Sequence, residues 1–133
     1  MARWRWIGIL GMALWGAGWL APGSLYAEPY SLEDVKLKTA GELVDTCTVD
    51  PGHEHYVAAL AFCYGFFEGA IRYAEAISGP GFNRQLVCAP AGTTRSEAVA
   101  VFVSFMKAQP QYLTEAPVDA IYRALMPKWP CPK

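Results

Sequence analysis

The sequence has little of what most enzymes and nucleic-acid-binding proteins need. Its two histidines, His53 and His55, lie two positions apart and point in different directions at a predicted helix start, which suits no shared metal. No serine–histidine–aspartate or cysteine–histidine arrangement and no phosphate-binding glycine loop is evident, so we predict no catalytic residues and no enzyme. Lysine and arginine number 11 against 12 acidic residues, which leaves no basic stripe for nucleic acid.

The cysteines do not have the spacing that is typical of zinc sites. The four cysteines, Cys47, Cys63, Cys88 and Cys131, are separated by 16, 25 and 43 positions, so no Cys-x-x-Cys pair exists. We therefore expect neither a metal nor another cofactor. An even number of cysteines in a small exported domain instead indicates two disulfides.

The first 27 residues are typical of a secretory signal peptide. Arg3 and Arg5 precede an apolar run that Pro22-Gly23 ends, and residues 25–27 are suited to cleavage. An uncleaved membrane anchor is the alternative, although the run of about 16 residues is shorter than the ~20 that a spanning helix needs. We predict a periplasmic chain with a flexible arm at 28–38, a helical domain at 39–133, and no basic surface for membranes.

Helical patterns dominate the rest of the sequence. Thr39 opens a capping box before a short helix through Cys47. Asp50-Pro51 is predicted to start a central helix over about 54–78, with Asp50 as its cap. Thr94 opens a second capping box before a helix to about Ala108, and Thr114 is predicted to cap a fourth helix. We therefore predict an all-α fold, a small disulfide-stapled bundle of a short first helix and three longer helices.

Apolar spacing predicts which faces of the last two helices point inward. The expected core positions are Ala98, Val101, Phe102 and Phe105 on the third helix, and Val118, Ile121, Tyr122 and Leu125 on the fourth. If successive helices are antiparallel, Cys88 and Cys131 lie at one end, and the first helix folds back to meet Cys63. We predict Cys47–Cys63 and Cys88–Cys131, although sequence alone permits three connectivities.

The central helix contains two glycines on one face, Gly65 and Gly69. Each costs roughly 1 kcal/mol against alanine inside a helix, so both need a structural reason. We predict that they let a neighbouring helix approach, either within the subunit or across a dimer. The charges of Glu68, Arg72 and Glu75 are expected to mark a solvated face.

An ordered set of residues resembles a known family. The set reads Leu43-Val44-x-x-Cys47, Cys63-x-Gly65-Phe66-x-x-Gly69, Cys88-x-Pro90-x-Gly92-x-Thr94, Phe105-Met106-x-x-x-Pro110, Ala124-Leu125 and Pro130-Cys131. It closely resembles the Rap/Tai family of immunity proteins, which protect bacteria against type VI secretion amidase effectors. The resemblance implies a small helical periplasmic protein, often a homodimer, that binds a peptidoglycan amidase and sterically blocks its active site without catalysis or a cofactor.

Partner-binding residues are placed by physical argument on the loops at the two ends of the bundle. The candidates are Phe82, Arg84 and Gln85 in one loop, and Gln109, Gln111 and Tyr112 in the other. The alternative is that these are ordinary solvated loops. A different function also remains open, namely a periplasmic helical chaperone or stress protein that exposes apolar surface to unfolded clients.

Overall fold

The computed structural model describes residues 36–79, 81 and 84–132, and this part of the chain folds into four α-helices. They are α1 (Ala40–Cys47), α2 (Tyr56–Ala76), α3 (Arg95–Ala108) and α4 (Pro117–Lys128), with a 3₁₀ turn at Pro110–Tyr112 between the last two. The described residues contain no β-strand, so the predicted all-α bundle is confirmed. The predicted signal peptide, most of the predicted arm, and Phe82 lie outside the described residues.

Both predicted capping boxes are present. The Thr39 hydroxyl accepts a hydrogen bond from the Glu42 amide, and the Glu42 carboxylate accepts one from the Thr39 amide. Thr94 and Glu97 repeat this exchange at the start of α3, where the bonds that the Glu97 carboxylate accepts from Thr94 lower the pKa of Glu97. These local bonds satisfy helix amides that have no partner within the helix, which is why both starts can be read from the sequence.

The predicted start of α2 is wrong. Asp50 does not cap this helix, because its carboxylate accepts a hydrogen bond of 2.7 Å from the Gly52 amide within a local turn. The His53 amide bonds back to the Asp50 carbonyl and continues the turn, so α2 begins only at Tyr56. An aspartate before a proline favours a turn as readily as a helix cap.

The predicted cap of α4 is also wrong. The N-cap is Ala116 rather than Thr114, and Pro117 takes the first helical position. The residues around Thr114 have another role, because the Leu113 and Glu115 carbonyls accept hydrogen bonds from two amides at the start of α1, at 2.9 and 2.8 Å. The connection between α3 and α4 is therefore fixed by α1, which no local pattern reveals.

The core lies where α1 packs against the other three helices and α3 packs against both α2 and α4. Phe67 and Phe102 are fully buried and contact each other edge to face, with ring centroids 5.4 Å apart. The other buried apolar residues are Ala40, Leu43, Val44, Ala59, Cys63, Ala98, Val99, Met106, Ala120, Ile121, Ala124 and Leu125.

The inward faces of α3 and α4 differ in part from the prediction. Val118 is 41 % exposed, so it does not belong to the core stripe of α4. Val101 and Phe105 only pack against the edge of the core, whereas Met106 is fully buried. Small residues such as Ala120 and Ala124 line the buried face of α4. Small side chains allow neighbouring helices to pack closely. The prediction was based on large apolar residues, so it missed this face.

The two disulfides have the predicted pairing. Cys47 at the end of α1 joins Cys63 within α2, and Cys88 joins Cys131 beyond the end of α4. The first bond ties two helices together, and the second ties two irregular segments together. None of the described helices combines the length and the apolar character that crossing a membrane requires.

Candidate functional site

A cleft of 290 Å³ opens between the second half of α2 and the irregular segment 84–94, which we call the cleft wall. Helices α3 and α4 and Trp129 close its base. Its apolar lining comes from Ile71, Ala74, Leu86, Val87, Ala98, Leu125 and Trp129. Of the sequence-predicted residues, Gln85 lines this cleft, whereas Arg84 lines an adjoining depression that shares Glu75, Ser78 and Gln85 with it.

The cleft wall is attached to the helical body at a few points. The Cys88 amide donates a hydrogen bond of 2.9 Å to the Trp129 carbonyl, beside the Cys88–Cys131 disulfide. Val87 packs against the edge of the core, and the Arg84 guanidinium donates to the Pro132 carbonyl at 3.3 Å. The position of the wall therefore depends on the tail that follows α4.

An ion-pair network forms the rim of the cleft on the helical side. The Glu68 carboxylate accepts hydrogen bonds from the Nε atoms of Arg95, at 3.0 Å, and of Arg72, at 2.9 Å. Arg72 also donates to Glu75 at 2.8 Å. The hydrogen bonds from Arg95, and then those from Arg72, lower the pKa of Glu68, so this carboxylate stays ionised at neutral pH. The spacing of the sequence predicted the three charges on α2 but not the contact with Arg95 on α3.

The base of the cleft contains the half-buried hydroxyl group of Tyr122. Tyr122 on α4 donates a hydrogen bond of 2.8 Å from its hydroxyl to the Ala70 carbonyl on α2. Burial raises the pKa of Tyr122, and the nearby Glu75 carboxylate raises it further. The phenol is therefore neutral and serves as a link between two helices.

A second surface lies at the connection between α3 and α4. The Tyr112 ring stacks on Phe105 at a centroid distance of 5.9 Å, and the Arg123 guanidinium lies 4.5 Å from the Tyr112 centroid. Arg123 also donates to the Glu115 carboxylate at 2.7 Å. We call Phe105, Tyr112, Glu115 and Arg123 the stacked cluster. Stacking and the ion pair hold Tyr112 in place on the surface.

The predicted partner-binding residues do not form one site. Arg84 and Gln85 border the cleft near the start of α3, whereas Gln109, Gln111 and Tyr112 follow the end of α3. This helix has 14 residues, and at a rise of about 1.5 Å per residue it separates the two groups by roughly 20 Å. Gln111 donates to the Gln109 side chain at 2.6 Å, so these two exposed amides order each other.

The two glycines of α2 do not pack against a helix of the same subunit. Nothing among the described residues lies within 4 Å of the position that a Cβ atom would take at Gly65 or Gly69. Both residues are exposed, and Val57 and Tyr73 on the same side of α2 are 77 % and 68 % exposed. No described helix of the same subunit approaches either glycine, so their role in helix packing, within the subunit or across a dimer, stays a prediction.

The part of the chain that the structure describes offers no group of three or more potential metal ligands. The His53 and His55 rings are 5.6 Å apart, and the His53 Nδ1 atom accepts a hydrogen bond from the His55 amide. What the described surface provides is a cleft, a stacked cluster and an exposed face of α2 that bears Arg72 and Glu75 near its end. Aromatic and arginine side chains, such as those of the stacked cluster, are enriched at protein–protein interfaces.

Comparison with protein families gives a match over nearly all of this structure. The model for the Rap1a immunity proteins matches residues 39–131, which include all four helices and both disulfides. Comparisons with curated proteins and with solved structures gave no match. Because the match covers well over half of the sequence, the chain belongs to the Rap1a immunity protein family.

Proposed function

We propose that this protein is an immunity protein that binds a peptidoglycan amidase effector of a type VI secretion system and blocks its active site sterically. The family match over residues 39–131 carries the proposal. Steric inhibition needs a rigid body with complementary surface and no catalytic group or cofactor of its own. Two disulfides and a fully buried Phe67–Phe102 contact are consistent with such a rigid body.

We further propose that the chain acts in the periplasm. Residues 1–27 would direct export and be removed, and residues from 39 onward would form the inhibitory domain. Disulfides form and persist in oxidising compartments, and all four cysteines of the chain are paired. A cell-wall amidase would meet its inhibitor in the same compartment.

The stacked cluster is the surface that we propose to contact the amidase at one end of the bundle. Tyrosine and arginine are enriched among the residues that contribute most binding energy at interfaces. Tyr112 and Arg123 are held by mutual stacking and by the Arg123–Glu115 ion pair, so binding would cost little side-chain entropy. The ordered amides of Gln109 and Gln111 lie beside them and would supply polar contacts.

A homodimer through the exposed face of α2 is also proposed. Val57, Ala61, Gly65 and Gly69 are exposed along this face without a charge, and Arg72 and Glu75 continue the face toward the end of the helix. Gly65→Ala tests the idea, because the space around Gly65 is open and alanine favours a helix by up to about 1 kcal/mol. We expect the variant to raise the melting temperature of the monomer and to weaken dimerisation in sedimentation analysis. Unchanged association would contradict this interface.

A protection assay tests the proposed function. The candidate effector is sought as an amidase gene beside the gene for this chain, and its product is exported to the periplasm of a host bacterium, where it should cause lysis. Co-expression of the full chain should prevent lysis, whereas a control chain without residues 1–27 should remain in the cytoplasm and give no protection. Lysis at the same rate with the full chain would refute the proposal. Broad rescue of unrelated unfolded periplasmic proteins would favour the chaperone alternative.

A further inference from the structure

Arg84 differs from the other arginines around the cleft. Arg72 and Arg95 both donate hydrogen bonds to the Glu68 carboxylate. Arg84 donates to the Pro132 carbonyl, and no carboxylate among the described residues pairs with it. Its positive charge lies in the depression that adjoins the cleft, and no described acidic side chain balances it.

The cleft next to Arg84 has the size of a side-chain pocket. Its 290 Å³ is just below the range of about 300–1,000 Å³ that is usual for small-molecule sites. Leu86 on the cleft wall is 44 % exposed, and Leu125 and Trp129 form the apolar base. An apolar pocket at a protein surface is where one large side chain of a partner contributes most to binding.

The charges on the rim of the cleft would not repel an acidic partner. Glu68 and Glu75 are both hydrogen-bonded to arginine, so their negative charges are compensated within the network. The same bonds occupy Arg72 and Arg95, which leaves Arg84 to attract an anion. An acidic group is thus favoured on the Arg84 side of the cleft, whereas a cation there would face a guanidinium that pairs with no described carboxylate.

We propose that the cleft binds one large apolar side chain from an acidic segment of the partner protein, with a neighbouring carboxylate of that segment paired to Arg84. The proposal rests on the proposed function, since the partner is the effector. It adds a second contact region, about 20 Å from the stacked cluster along α3, and assigns it a specific chemistry. Arginine and carboxylate groups can form two parallel hydrogen bonds, which would also fix the orientation of the segment.

The first test uses Trp129, which is the only tryptophan after Trp19 and lines the cleft. In the protein purified from the periplasm, its fluorescence therefore reports on the cleft. The probe is the peptide acetyl-Asp-Leu-Phe-Asp-amide, compared with acetyl-Lys-Leu-Phe-Lys-amide. We expect the acidic peptide to change the emission of Trp129 saturably, with a Kd on the order of 1 mM. The basic peptide should bind at least about tenfold more weakly, because it lacks the carboxylate that would form a charge-assisted hydrogen bond with Arg84.

Two exposed substitutions test the residues that would make the contact. Arg84→Glu should remove the preference for the acidic peptide, and Leu86→Glu should abolish binding of both peptides. Met126→Glu is the matched control, because Met126 is 41 % exposed on α4 and does not line the cleft. Circular dichroism checks that each variant is folded, and Leu86→Ala is the milder replacement. Equal binding of the two peptides, or no effect of Arg84→Glu, would overturn the proposal.

The second test separates this proposal from the proposed function. In the protection assay, Arg84→Glu and Leu86→Glu should weaken protection and reduce affinity for the amidase by about 10- to 100-fold, whereas Met126→Glu should not. Full protection by both variants would leave the immunity function intact and refute the role of the cleft. A change in the sedimentation mass of either variant would make a second copy of the chain the occupant and would also refute it.

Discussion

Removal of the Cys88–Cys131 disulfide should strongly destabilise the protein. The bond closes a loop with a sequence separation of 43 residues, and the chain-entropy relation assigns such a loop about 4 kcal/mol of stabilisation at 25 °C. Domains of this size have a total free energy of unfolding of about 5–15 kcal/mol. The Cys88→Ala, Cys131→Ala variant should therefore lose a large fraction of its stability while remaining folded in the absence of denaturant.

Urea unfolding of the purified protein under non-reducing conditions is the assay. We expect the free energy of unfolding to fall by about 4 kcal/mol and the slope m to rise, because the unfolded chain exposes more surface without the crosslink. The comparison variant is Cys47→Ala, Cys63→Ala, whose loop of 16 residues predicts a loss of about 3 kcal/mol, plus lost packing of the fully buried Cys63. A loss below about 1 kcal/mol for the longer loop would refute the reasoning.

Three further predictions concern the core, a cap and the ion network. Phe67→Ala should lower the free energy of unfolding by about 3–5 kcal/mol in urea titration, because Phe67 is fully buried, whereas Tyr73→Ala should change it by less than about 0.5 kcal/mol. Thr94→Ala should cost about 1 kcal/mol through loss of the α3 cap, and Thr94→Ser should restore most of it. The pKa of Glu68 lies below its ordinary 4.5 in the folded protein, so the carboxylate stabilises the fold above that pH and the contribution is lost as pH falls through the lowered value. Glu68→Gln should thus reduce the melting temperature more at about pH 7 than at about pH 3, and equal reductions would contradict the network.

Local chemistry explains which parts of the fold the sequence predicted well. The starts of α1 and α3 depend on hydrogen bonds between residues three positions apart, at Thr39 and Thr94, and both were predicted. The disulfide pairing followed from antiparallel helices with short connections. The start of α4 depends instead on carbonyls at 113 and 115 that bond to α1, a contact between segments distant in sequence, and its prediction failed.

The candidate site was less predictable for the same reason. The sequence places Arg84 and Gln85 in a loop, but the cleft beside this loop depends on the Cys88–Trp129 hydrogen bond and the Cys88–Cys131 disulfide, which join the wall to the tail after α4. The Glu68–Arg95 ion pair joins residues 27 positions apart, beyond the reach of helical periodicity. The exposure of Gly65 depends on where α1 and α3 pack around α2, and the spacing of glycines alone does not specify it.

Inhibition of the proposed amidase partner by the purified protein is the most direct test of the proposed immunity function. Hydrolysis of isolated peptidoglycan is measured while the purified protein is titrated into a fixed concentration of enzyme. The account predicts that activity falls linearly to zero near one subunit per amidase, and that Tyr112→Ala and Arg123→Ala weaken this inhibition. Full amidase activity in the presence of a large excess of the folded protein would contradict the account.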